Sequence, residues 1–177
     1  MKITSFVPNT AIKSLALAAI IGVTTLAPAV NTASAGGAKT PTATVNGGGT
    51  ADFLNIEGFT DFAIAATVYS DGSAIGHWMC EIPGGVMVAG DISGGIMNPN
   101  GSVTVTGVAH GYLHPDLAEL LGLPAGIYTD CPFKTTLWAG GRGVGKFNYQ
   151  DCSFPGFPDA TGDTELVRRG GITIRTR

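Results

Sequence analysis

Charge is scarce in this chain. Charged residues make up 13% of its 177 positions, and ten Lys and Arg stand against thirteen Asp and Glu, for a net charge of −3. A nucleic-acid binder needs a basic face that displaces counterions from phosphates, and so thin a scatter of basic residues argues against nucleic acid as a partner. Cysteine is nearly as rare, at three, and none precedes Cys80, which excludes a lipid-modified cysteine near the N-terminus. No serine sits in a G-x-S-x-G elbow, so that route to a nucleophile is absent. Histidine is limited to His77, His110 and His114. Beyond residue 35 no stretch is apolar enough to span a membrane as a helix, so no transmembrane anchor is expected there.

What is present begins with an export signal. Lys2 and Lys13 flank the start of the chain, an apolar run follows from Leu15 to Leu26, and Ala33-Ser34-Ala35 offers a small-residue cleavage site. This reads as a secretory signal peptide over residues 1–35, with a mature chain starting near Gly36 and a destination in the periplasm or outside the cell. The n-region has no twin-arginine pair, which favours export of an unfolded chain. The exported part carries eight basic and thirteen acidic residues, a net of −5. Oxidising surroundings make a disulfide feasible.

Glycine is abundant, at 27 residues, and favours short strands and turns over helices. Residues 36–49 read as a flexible Gly/Thr-rich leader, and the β-domain as 50–177. Phe62–Tyr69 and Ala74–Ile82 flank Ser70-Asp71-Gly72-Ser73, a hairpin signal that sets Phe62 opposite Glu81 if all four residues form the loop. In that register His77 and Glu81 share a face with Phe62 and Ile64. Val86–Ile92 and Ser102–Ala109 form a second pair, turned by Asn98-Pro99-Asn100-Gly101. Thr164–Arg169 and Ile172–Arg175 supply one or two closing strands.

Between them, Pro115–Leu121 has a proline at its first turn, an early acid in Asp116 and a stop at Gly122, which predicts one short helix in a long loop. Its leucines suit a plug at one end of a barrel. Eight or nine short strands joined by glycine turns point to a single all-β domain, an antiparallel barrel or sandwich, with the barrel preferred because it removes exposed edges. An outer-membrane barrel is the rival of similar size, disfavoured here by the shortness of the apparent strands and the lack of aromatic girdles.

Cys131 and Cys152 bracket a further hairpin. If Gly141 and Arg142 form a two-residue loop, Cys131 falls directly opposite Cys152, close enough for a disulfide. Cys80 is then left over as the odd thiol, a buried small hydrophobe or an intermolecular link. The same loop contains most of a phosphate-binding pattern in Gly140 and Gly145-Lys146, but Phe147 replaces the hydroxyl that would hold magnesium.

The rhythm of Gly47-Gly48-Gly49, Asp71-Gly72-Ser73, Gly76-His77, Gly90 and Gly107, followed by the late cysteine hairpin and Gly170-Gly171-Ile172-Thr173-Ile174, resembles a broad group of small secreted bacterial β-proteins. The resemblance implies a fold and carries over no catalytic residue. The excursion at 110–130 departs from it.

Three candidate sites remain. His110 and His114, joined by His77 from another strand, are the metal candidates, since imidazoles are common zinc ligands. Trp78, Tyr112, Leu117 and Leu120 are the candidates for a small-ligand site near a barrel mouth. Asp159, Asp163 and Glu165 alternate as calcium ligands do, over too short a loop. Cys80 and His77 cannot form a dyad on one strand, because residues three apart face opposite sides. The Arg168, Arg169, Arg175 and Arg177 cluster reads as a solvated strand end. The expectation is therefore a secreted, non-enzymatic β-domain that binds a protein or cell-surface partner and needs no cofactor. The alternatives are a small-ligand-binding barrel and a metal-dependent enzyme.

Overall fold

Two turns show how local chemistry sets the architecture. In a computed structural model describing residues 39–53, 58–151 and 164–177, Asp71 and Asn100 play the same part. Asp71 Oδ1 accepts from the Ser73 amide (3.0 Å) and hydroxyl (2.6 Å), and Asn100 Oδ1 accepts from the Ser102 amide (3.1 Å) and hydroxyl (2.7 Å). The glycine that follows each, Gly72 or Gly101, has a φ of 82°, which closes a three-residue loop with a left-handed residue at its end.

The strands so joined are β1 (Pro41–Phe53), β2 (Phe59–Tyr69), β3 (Ser73–Ile82), β4 (Val86–Met97), β5 (Val103–Leu113), β6 (Gly126–Trp138), β7 (Lys146–Asp151) and β8 (Thr164–Thr176), with one helix, α1 (Pro115–Leu121), between β5 and β6. Each strand pairs antiparallel with its neighbour in sequence, and β1 pairs with β8, so the sheet closes into a barrel. All belong to the compact unit Gly37–Arg177. Residues 1–35, where a signal peptide is expected, lie outside the described residues.

Several expectations are corrected. Residues 41–49 are not a leader but the first part of β1, with Ala43 and Val45 wholly buried. Their Thr/Gly composition hid an alternating pattern that buries only small and branched side chains. The β2–β3 loop holds three residues rather than four, so Phe62 pairs with Cys80 and Ile64 with Trp78. A one-residue change of register turns a strand over. Trp78 and Cys80 therefore face the core, and His77 and Glu81 face out. Cys80 is buried among core residues, which leaves it poorly placed for an intermolecular link.

The β6–β7 hairpin is also one residue from expectation, with Phe133 opposite Asp151. Its connection is longer than two residues because residues 139–145 fold along β8. Gly140 exchanges backbone hydrogen bonds with Ile172 (2.9 and 2.8 Å), and the Gly143 amide donates to the Val167 carbonyl (2.8 Å). Cys131 is buried on β6, and Cys152 lies outside the described residues.

Helix α1 has the expected bounds, starting at Pro115 and ending at a left-handed Gly122 with φ 68°. Among its described side chains, Ala118 is buried, Leu117 is half-buried beside Gly85, and Leu120 is 80% exposed, so Leu120 does not plug the barrel. The His114 amide ties the helix start to the β3–β4 turn by donating to the Gly85 carbonyl (2.8 Å).

The interior is a filled core. Phe62, Trp78, Phe147, Tyr149 and Phe133 stack or meet edge-on at centroid separations of 4.9 to 6.4 Å, surrounded by Val45, Val68, Val103, Val105 and Leu137. Seven of the eight strands span 10 to 13 residues, so strand length does not separate this barrel from one that crosses a membrane. Apolar side chains fill the inside, while the outside carries Asn46, His77, Asp91 and Lys134 together with exposed Ile75, Ile96, Val108 and Ile127. No described helix is long and apolar enough to cross a membrane.

Gly170 and Asp71 generate two predictions. Gly170 has φ 85°, and a Cβ there would lie 2.0 Å from the Gly48 carbonyl oxygen, whereas a Cβ at Gly72 meets nothing within 4 Å. Gly72→Ala should cost about 1–2 kcal/mol for the left-handed backbone alone. Gly170→Ala should cost clearly more, read from urea midpoints, and equal losses would refute the crowding at the β1–β8 seam. Asp71 is held down at about 2, from an ordinary 3.8, first by the Ser73 hydroxyl and then by Lys39, whose ammonium is 3.0 Å away. A depressed carboxyl contributes stability that is fully present above 3.8 and is lost as pH falls through about 2. The stability gap between wild type and Asp71→Asn should therefore hold steady at neutral pH and shrink on acidification through that window; a gap independent of pH would sink the assignment.

Candidate functional site

Pleating puts alternate residues of β2 to β5 on the outside of the barrel, and cross-strand pairing lines them up in rows. One row runs Ala65, His77, Asp91, Val108; the next runs Ala63, Met79, Ala89, His110. Three of the eight side chains are alanines, so the larger ones stand above a low floor. The result is a shallow groove of about 480 Å³ with Ala63, Ala65, Ala89 and Gly90 in its base and His77, Asp91 and His110 at its edge. Met87, Val108 and Tyr112, which are 42%, 45% and 39% exposed, lie on the same outward face.

His77 Nδ1 is 2.7 Å from Asp91 Oδ1, with both side chains more than four-fifths exposed. An ion pair in that setting contributes at most about 1 kcal/mol, because water screens it and two mobile side chains must be held. The pair is a hydrogen-bonding feature on a wet surface rather than a desolvated acid–base couple. Among the described residues no serine, threonine or cysteine lines the groove.

The candidate residues are distributed as follows. His77 and His110 share the groove, while His114 caps α1, where its Nδ1 accepts from the Asp116 amide at 3.4 Å. Among the described residues no three His, Cys, Asp or Glu side chains converge as a metal site would require. Trp78 is buried at the barrel centre, Tyr112 is on the outer face, and Leu117 and Leu120 are on α1, so the four do not form one mouth. Trp78 Nε1 and Thr135 Oγ1 are buried without a hydrogen-bond partner among the described residues. Of the calcium candidates, Asp159 and Asp163 lie outside the described residues, and Glu165 is turned into the barrel, where its carboxylate accepts from the Thr60 hydroxyl.

Sequence reasoning missed the groove because its floor is made of alanines, which carry no chemical signal. It also missed Asp91, whose pairing with His77 depends on the β3–β4 register. Comparison with models of protein families finds no match, and neither curated proteins nor solved structures give one.

Proposed function

We propose that this chain is an exported, non-enzymatic bacterial β-barrel domain that acts by binding a protein of the cell envelope through the outer face of β2 to β5. The observation that carries the reading is the division of the barrel. Its inside is taken up by stacked aromatic rings, and the shaped surface with hydrogen-bonding groups lies outside. The occupant is a protein rather than an anionic polymer, because the groove is mainly apolar and the acid among its described lining residues is Asp91. Aromatic and Met side chains are enriched at protein interfaces, and Met79, Met87 and Tyr112 fit that composition.

Filling the groove tests this. Ala65 and Ala89 are on the outer face, so Ala65→Arg with Ala89→Arg leaves the core intact. Wild-type protein made in its own cells should sediment with the envelope fraction and the double variant should be released, with unchanged circular dichroism for both. Equal retention would remove the proposal.

A second reading, a small-ligand-binding barrel, is supported by Trp78 Nε1 and Thr135 Oγ1, which have no partner among the described residues, since a buried polar group without a partner costs about 1–3 kcal/mol. The mass of the exported protein bears on this and on export itself. A chain starting near Gly36 and about two daltons lighter than its reduced form would agree with signal cleavage and a Cys131–Cys152 bridge. Extra mass seen under native conditions alone would favour the ligand; a bare chain would count against it.

A further inference from the structure

Three arginines meet on a different part of the barrel. Strand β8 carries a bulge, because Thr50 pairs with Arg169 and Ala51 with Val167, leaving Arg168 as the extra residue. A bulge re-aims side chains, and here Arg168 and Arg169, consecutive in sequence, are both exposed instead of alternating. The β6–β7 connection brings in the third. Its backbone is pinned to β8 on both sides of Arg142, by Gly140 to Ile172 and by the Gly143 amide to the Val167 carbonyl. Arg142, Arg168 and Arg169 then line a groove of about 420 Å³ with Thr50 and Phe59.

The charge balance of this groove selects its ligand. Arg168 contacts Asp52 at 3.4 Å, while Arg142 and Arg169 have no acidic partner among the described residues. Among the described residues, three guanidiniums stand against the one carboxylate that contacts them, an excess of positive charge in a chain whose net charge is −3. Asp61 faces Thr50 from β2, across the strand from the arginines. Guanidinium forks bind phosphate oxygens in a bidentate manner, and a phosphate monoester at neutral pH carries close to two negative charges. Phe59, 39% exposed, adds an apolar wall that inorganic phosphate would not use.

The geometry points to an oxyanion site here, one that takes a phosphate monoester with an apolar or aromatic substituent. It shares strand β2 with the protein-binding groove but none of its lining residues, so either can fail without the other.

The test is a titration of the full exported protein with phenyl phosphate and with inorganic phosphate at fixed ionic strength, followed by calorimetry. Phosphatidylcholine vesicles containing phosphatidic acid, whose headgroup is a phosphate monoester, form a third arm and vesicles of phosphatidylcholine alone a fourth. Saturable one-to-one binding is expected, tighter for phenyl phosphate, and weakened about tenfold or more in Arg142→Gln/Arg169→Gln, a loss of about 1.4 kcal/mol or more. The charge-matched control Arg175→Gln/Arg177→Gln should bind as wild type does. All four arginines are exposed, and unchanged thermal unfolding would confirm that the variants fold. Saturation by the soluble phosphates identifies a free ligand. Binding to the phosphatidic acid vesicles alone, lost in the first variant and kept in the control, identifies a lipid headgroup. Equal weakening in both variants would reduce the effect to net charge and overturn the site, as would no binding in any arm.

Discussion

The whole barrel depends on the seam where β1 meets β8. The first and last strands close at Gly47, Gly48 and Gly49 against Ile172, Gly171 and Gly170, where backbones come so near that a Cβ on Gly49 would lie 1.9 Å from the Arg169 carbonyl oxygen. Without that approach the sheet would have two edges, each a row of unpaired amides and carbonyls open to a second chain. With it, the inward side chains of all eight strands face one volume, which the aromatic cluster around Trp78 and Phe147 fills. The glycines that make the sequence look loose are thus what allows the structure to be tight.

The seam also accounts for the position of the arginines. The bulge at Arg168 lies immediately beside the crowded glycines, and a bulge re-aims the side chains around it. The β6–β7 connection, by bonding along β8, lengthens the short strand β7 and completes the wall there. Closure and the clustering of Arg142, Arg168 and Arg169 follow from the same local geometry. The groove on β2 to β5 has a different origin, in regular pleating with alanines at alternate outward positions.

Much of the fold was legible because it rested on local chemistry. Proline at the start and glycine at the end bounded α1, and Asx-Gly-Ser marked both three-residue turns. Register was harder to read, since Ser70-Asp71-Gly72-Ser73 supports loops of three or four residues, and the choice decides whether His77 or Trp78 is inside. Strand β1 was hidden by its composition, as its inward positions are Ala43, Val45 and glycines rather than a run of large hydrophobes. The sites were least legible. His77 meets Asp91, and Arg142 joins Arg168 and Arg169, only through pairings between segments far apart in sequence.

Closure through the first and last strands places Ala43 opposite Thr176, and the Arg177 amide donates to the Thr42 carbonyl at 3.1 Å. The two ends of the β-domain therefore leave the barrel side by side. A short linker could join them, and a new pair of ends could be opened at the exposed Pro99-Asn100-Gly101 turn without breaking a strand. In such a circular permutant the seam would become an ordinary hairpin, and the order of the strands around the barrel would stay the same.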